Sequence, residues 1–237
     1  MNNSRQYESR FFTKEDCSVS KLIFELPQVW WSRFYEYEWA RQFCRTEDVV
    51  LDAACGLAHP LKFYLADHCR EVHCCDADPR ILDKGEILRD ISETFGETAA
   101  SQFPERYFSQ IDFRQALVQA LPYPDGYFDK VYCISVLEHL NDELNQSELL
   151  TVNALTLNMV SHREIYDSLR EFRRVLKDDG LIILTFDYPS INLNYLINLA
   201  AQQGLTFAGP LDCRLPADAL YSTLWNLFCF RAVFQKE

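Results

Sequence analysis

The chain alternates short apolar runs with longer stretches of helical period, and that alternation restricts the folds open to it more than any other feature. The strand candidates are DVVLD (48–52), EVHCCD (71–76), SQIDFRQA (109–116), FDKVYCIS (128–135), LIILTFD (181–187), LTFAG (205–209) and NLFCFRAVF (226–234). Several are nearly unbroken apolar runs, as expected of strands covered by helices on both faces. After the first, Leu61, Tyr64, Leu65 and His68 recur at three- and four-residue spacing. Pro79 suits the first turn of a second helix, with apolar positions Ile81, Leu82, Leu88 and Ile91. REIYDSLREFRRVLKDDG sets Ile165, Leu169, Phe172, Val175 and Leu176 on one stripe, with Gly180 as a stop beyond it. INLNYLINLAAQQG (191–204) also ends on glycine. The expected architecture is α/β: a doubly wound, mostly parallel seven-stranded sheet with helices on both faces. No helix separates the last two strands, so they are expected as an antiparallel pair at one edge.

At 237 residues and 48% hydrophobic, the chain has enough apolar matter for one sizeable core. We expect an N-terminal helical lid or cap over residues 1–45. An α/β domain over 46–237 follows, with an insertion at about 141–161. Acidic residues number 35 against 23 Lys plus Arg, a net charge of −12. Such a surface repels phosphate backbones and anionic lipid, which argues against nucleic-acid and membrane partners. Runs such as LIIL are too short to span a bilayer, and MNNSRQYESRFF lacks the apolar core of a signal peptide. Nine cysteines, several inside apolar runs, fit reduced thiols in a cytoplasmic protein. HCREVHCCD has no CxxC spacing, and neighbouring strand residues point to opposite faces, so no metal is expected there.

VVLDAACGLAHP (49–60) reads as a buried strand ending on Asp52, then a sharp turn. In a doubly wound sheet, ligands sit beyond such strand ends. A helix starting near Leu57 would aim its amide dipoles at that spot. Gly56 allows close backbone approach, and Asp76, 20 positions later, ends the next strand where an acid can accept from a ribose diol. A dinucleotide turn uses three glycines; here those positions are Ala54, Gly56 and His59. A bulky His59 should obstruct close helix–strand packing. A nucleoside ligand without phosphate suits this turn better, which disfavours nicotinamide-dependent oxidation.

VLDAACGLA, HCCDADPRIL, ALPYPDGYFDKVYCISVLEHL and EFRRVLKDDGLIILTF follow in order along most of the chain. Together they resemble class I S-adenosylmethionine-dependent methyltransferases, nearest the small-molecule methyltransferases. The resemblance implies that Asp52 orients the turn near the methionine part, while Ala54, Cys55 and Gly56 pass beneath the cofactor. It implies that Asp76 binds the ribose with Ala77 beside it, and that Ser135 lies under the methionine part. Alanine stands at 54 and 58 where the family usually has glycine. Leu117 falls where an acid usually meets the adenine amino group, so it packs on the ring and a backbone group or Gln119 takes that hydrogen bond.

Methyl transfer from a sulfonium depends chiefly on holding acceptor and donor in line. A hydroxyl or ammonium acceptor also needs a base, and His139 in SVLEHL follows the fourth strand at the rim. Glu138 reads as a partner of backbone or of an arginine; Asp187 and Tyr188 are candidates for the acceptor pocket. VWWSRFYEYEWA places Trp31, Phe34, Tyr35, Tyr37 and Trp39 around a helix, either as packing or as a lid with Tyr35 or Arg33 reaching in. The expected function is methylation of an oxygen, nitrogen or carbon of a small molecule. The alternative is an inactive methyltransferase-like binding or subunit module. Residues 141–161 would shape the acceptor pocket or a homodimer contact.

Overall fold

The computed structural model describes residues 5–140 and 154–237. The elements that place the crevice are β1 (Ser9–Phe11), α1 (Arg33–Ala40), β2 (Val49–Ala53), α2 (Leu61–His68), β3 (Glu71–Asp76) and α3 (Lys84–Phe95). Short helices α4 (Glu97–Ser101) and α5 (Tyr107–Gln110) precede β4 (Ile111–Gln115) and β5 (Phe128–Ile134). Then come α6 (Ala154–Val175), β6 (Leu176–Tyr188), α7 (Leu193–Gln202), β7 (Leu205–Phe207), β8 (Leu211–Asp212), β9 (Tyr221–Ser222) and β10 (Leu227–Lys236).

The sheet runs β4-β3-β2-β5-β6-β10-β1-β8, with β7 and β9 also paired to β10. From β4 to β6 the pairs are parallel; β10 runs antiparallel to both β6 and β7. The expected mostly parallel sheet with its antiparallel C-terminal pair is therefore what forms. Three strands of two or three residues, β1, β8 and β9, extend it. β1 pairs with β10 at Phe11↔Phe230, so the N-terminal segment expected as helical also supplies a strand.

Alternate strand residues serve opposite layers, which is why the runs are apolar throughout. Leu51, Cys75, Val131 and Ile182 pack in the layer that holds Leu169 and Phe172 of α6. Their neighbours Val50, Cys74, Tyr132 and Ile183 pack in the layer that holds Leu61 of α2 and Ile91 of α3.

Several boundaries differ from expectation. α2 starts at Leu61, not near Leu57, because Ala54 and Gly56 adopt left-handed backbone at φ +53° and +59° and residues up to Pro60 remain a turn. Pro79 opens a separate 3-10 turn, Pro79–Leu82, and α3 begins afterwards with the Asp83 side chain accepting from Gly85 N at 2.7 Å. Leu82 is accordingly exposed, not part of the apolar stripe. Ser109 and Gln110 close α5 and do not open β4. α6 begins at Ala154, so 154–161 of the expected insertion are helical; the remainder lies outside the described residues.

α6 also ends at Val175 without needing Gly180 as its stop. Leu176 pairs with Phe128 and Leu181 with Lys130, so residues 177–180 bulge from β6. A Cβ on Gly180 would sit 2.7 Å from the Leu176 side chain and 3.0 Å from the Asp129 carbonyl oxygen. Nearby, Arg174 donates to the carbonyls of Leu121 and Tyr123, each at 2.8 Å, and Glu171 accepts from Leu121 N at 2.9 Å. Two distant stretches, LPYPDG and EFRRVL, thus lock together. Gly180→Ala is expected to destabilise the fold by about 1–3 kcal/mol, the usual cost of overpacking, read from the urea midpoint at unchanged slope.

Candidate active site

Strand order reverses between β2 and β5, and a crevice opens beyond their carboxyl ends. It holds two cavities that share Ala54, Asp76 and Val136 in their walls. The larger, about 500 Å³, is further lined by Ala77, Leu117, Gln119 and His139, and by Glu164 and Asp167 of α6. The smaller, about 110 Å³, adds Arg33, Asp52, Cys55, Gly56, His59 and Ser135.

The polar groups of the turn after β2 are met by β3, α3 and α2. Cys55 N donates to Cys75 O at 3.0 Å, Gly56 N to Asp76 Oδ2 at 2.8 Å, and Ala58 N to Asp90 Oδ2 at 3.1 Å. Its carbonyls are met by Lys62, whose Nζ donates to Cys55 O, Gly56 O and His59 O at 3.1, 2.7 and 2.8 Å. His59 does not obstruct the turn; it covers it. A Cβ on Gly56 would lie 2.5 Å from His59 Cδ2, so glycine makes room for the ring. Trp30 stacks on that ring at 4.5 Å, and the Tyr37 hydroxyl shares a 2.7 Å hydrogen bond with His59 Nδ1. Burial, with Arg33 and Lys62 nearby, pushes the imidazole pKa well down and keeps His59 neutral.

The opposite wall comes from α1. Glu36 is wholly buried, and its Oε2 accepts from Arg33 Nη1 at 2.5 Å and Ser32 Oγ at 2.9 Å. Its Oε1 accepts from Thr185 Oγ1 at 2.5 Å and Ser135 Oγ at 2.7 Å. Burial alone would raise this carboxyl, but Arg33 and these hydrogen bonds hold it below the usual range. Arg33 also donates to Ser135 Oγ at 2.6 Å, which sets its guanidinium in the wall of the smaller cavity.

Other acids lack such support. Asp52 is pushed up to about 7 by burial, with Lys62 opposing and Asp76 reinforcing the rise. Burial raises Glu138 to about 8 and Asp187 to about 6. Glu138 Oε1 accepts from Asp187 N at 3.0 Å, the backbone partnership expected of it, while Glu138 Oε2 and Asp187 Oδ1 are buried without hydrogen-bond partners. Of the residues singled out in the sequence, the crevice walls bring together Asp52, Ala54, Cys55, Gly56, Asp76, Ala77, Leu117, Ser135 and His139. Tyr35 is not among them: it packs against the core layer below α1 and lines neither cavity. Tyr188 packs edge-on to Phe11 at 5.2 Å.

The methyltransferase domain family matches residues 51–184, more than half of the chain, from β2 to late β6. The chain belongs to that family. Its members are the class I, S-adenosylmethionine-dependent methyltransferases. An uncharacterized methyltransferase, YcgJ of Bacillus subtilis, is 25% identical over 145 residues. That match covers 61% of this chain and 43% of the relative. Among solved structures, the PH0226 protein of Pyrococcus horikoshii superposes with TM-score 0.56 at 18% identity, covering 89% of this chain and 92% of that one. A TehB-like S-adenosylmethionine-dependent methyltransferase of Corynebacterium glutamicum gives TM-score 0.51 at 14% identity, over 85% and 87% of the two chains.

The residues present fit the cofactor of this family, S-adenosylmethionine. Gln119 Oε1 is buried without a hydrogen-bond partner, and its residue lines the larger cavity. Asp76 uses one lone pair on each oxygen, for Gly56 N and Asp78 N, and keeps one on each for a diol. Lys62 and Glu36 carry no signal in the sequence: one answers backbone carbonyls, the other groups far along the chain.

Asp52, Glu138 and Asp187 bind protons more tightly folded than unfolded. Their contribution to stability is therefore present at low pH and is lost as pH rises from the ordinary carboxylate range through about 6 to 8. The ligand-free protein should accordingly melt lower at pH 8 than at pH 6. Asp52→Asn should raise the pH 8 melting temperature by about 3 °C or more and flatten that dependence, as calorimetric scans at both pH values would show.

Proposed function

We propose that the protein transfers the methyl group of S-adenosylmethionine to an oxygen, nitrogen or carbon of a small-molecule acceptor. The observation that carries this reading is the crevice: a cavity of about 500 Å³, of small-ligand size, meets a smaller charged one at Asp76, at the reversal of strand order. In this reading Asp76 accepts from the ribose hydroxyls. Ala77 and Leu117 pack on the adenine, and Gln119 accepts from its amino group. Ala54, Cys55 and Gly56 form the floor, with Ser135 beside the methionine part. Arg33 and Asp52, both in the wall of the smaller cavity, meet the methionine carboxylate and ammonium with opposite charges.

When bound, S-adenosylmethionine supplies an electrophilic methyl on a sulfonium with a neutral leaving group. The protein's own contribution is then positioning, with a base only where the acceptor carries a proton. His139, exposed and in the wall of the larger cavity, takes that proton in this reading. Tyr35 lines neither cavity, and this reading assigns it no catalytic part. The acidic surface supports a small acceptor over nucleic acid, and the buried thiols of Cys55, Cys74, Cys75, Cys133 and Cys229 support a reducing, cytoplasmic setting.

Titration calorimetry with S-adenosylhomocysteine, S-adenosylmethionine and NAD tests the reading. Tight binding of the homocysteine form is expected, and binding of NAD alone would overturn it. Labelled donor incubated with metabolite extracts should mark an acceptor; donor binding with no labelled product would favour a binding module.

Two variants test the assigned subsites. Asp76→Ala should weaken S-adenosylhomocysteine by about 2–3 kcal/mol, the range for hydrogen bonds to charged groups. Arg33→Met should lose about 1.5–3 kcal/mol on the same ligand, yet bind 5′-methylthioadenosine, which has no amino-acid part, as the native protein does. Equal losses on both ligands would show that Arg33 serves the fold through Glu36 and does not meet the carboxylate.

A further inference from the structure

Resting on that reading of the crevice, we infer that Lys62 is a positioning residue, the one that gives a turn with a single glycine the shape needed to hold the cofactor. Lys62 is fully buried, and it lines neither cavity. An ammonium has three donors, and here all three go to one turn: Cys55 O, Gly56 O and His59 O at 3.1, 2.7 and 2.8 Å. Burying an unmet ammonium is costly, so the side chain and the turn each require the other.

The geometric consequence reaches the ligand side. With the carbonyls of Cys55 and Gly56 bound to Lys62, the Gly56 amide meets Asp76 at 2.8 Å and the Ala58 amide meets Asp90 at 3.1 Å. Asp76 is thereby held between the amides of Gly56 and Asp78 while it lines both cavities. Ala54 sits at φ +53°, a left-handed backbone that an alanine keeps only when its surroundings enforce it. Three charge-assisted hydrogen bonds within the next five residues supply that enforcement.

An electrostatic consequence follows. Lys62 is the cation that opposes burial at Asp52. The other ionisable groups acting with Asp52 are Asp76 and the thiols of Cys74 and Cys75 on β3, the Cys133 thiol on β5 and Tyr37 on α1. Arg33 on α1 and the neutral His59 share the cavity wall with it. Lys62 therefore sets both where Asp76 stands and how readily Asp52 ionises to meet an ammonium.

Calorimetric titration of S-adenosylhomocysteine at about pH 7 and about pH 8.5 separates this from a packing role. Lys62→Met, close in size, should bind about tenfold or more weakly at the lower pH. The gap should narrow to about threefold at the higher pH, as Asp52 without its cation ionises later. Lys62→Arg keeps the charge but replaces three converging donors with a planar fork. It should bind more weakly by the same factor at both pH values. A Lys62→Met loss of equal size at both pH values supports the shaping of the turn and overturns the effect on Asp52; affinity within about twofold of native at both overturns the inference. Should Lys62→Met fail to fold, native-like affinity of Lys62→Arg at both pH values overturns it as well. A native protein that binds no S-adenosylhomocysteine would overturn the cofactor reading and this inference together, whereas the variant outcomes bear on Lys62 alone.

Discussion

The buried carboxylate of Glu36 is the interaction on which the crevice depends. A charge taken out of water must be compensated in full, and Glu36 draws its partners from four parts of the chain. Ser32 and Arg33 answer it from the start of α1, Ser135 from the end of β5, Thr185 from β6, and the Cys229 thiol from β10 at 3.4 Å. Removing any one partner leaves the charge short in a dry place, so α1 has one seat available to it. That seat carries Arg33 into the cavity wall and lets Trp30 and Tyr37 reach His59. The N-terminal segment is therefore part of the site and not only an attachment to the sheet.

The two edges of the crevice are built alike. Beyond β2, Ala54 takes a left-handed backbone; beyond β5, Ser135 does the same at φ +47°. Non-glycine residues hold that conformation only where neighbours over-determine it. Lys62 does this for the first edge through three carbonyls. Thr185 does it for the second: Ser135 N donates to Thr185 O at 2.9 Å and to Thr185 Oγ1 at 3.1 Å, while the serine hydroxyl is held by Glu36. Strain is thus concentrated where the backbone turns at the crevice.

The sheet was legible because its strands are buried on both faces, which leaves a run such as VVL or LIIL with no polar interruption. The crevice was legible at Asp52, Gly56 and Asp76, since a strand end, a glycine and a second strand end have fixed spacing in a βαβ unit. Helix starts were not. Residues 57–60 have no side chain that forbids a helix except Pro60, and the turn is prolonged by Lys62, whose partners are carbonyls that leave no mark in a sequence. Gly180 looked like a helix stop, yet the constraint on it is the Asp129 carbonyl of a neighbouring strand. Glu36 sat unremarked among aromatics because its partners lie 99, 149 and 193 positions away. His59 was legible as a bulky residue at a glycine position, but its stacking on Trp30 depends on where α1 is seated.

The shortage of glycine makes chemical sense once the turn's hydrogen bonds are counted. A pyrophosphate needs a concave row of free amides, and only glycines let several successive amides face one way. Here the amides of Cys55, Gly56 and Ala58 are consumed by Cys75, Asp76 and Asp90, and the carbonyls by Lys62. No such row is left to receive a phosphate. What faces the crevice instead is side-chain chemistry: Asp76 between the cavities, Gln119 at one end, Arg33 and Asp52 at the other. That arrangement suits a nucleoside carrying an amino acid, which has a diol, an amide-like base edge, an ammonium and a carboxylate to be met one by one. A turn whose polar groups are met by its neighbours can be made of alanine and histidine, provided that a buried ammonium holds it shut.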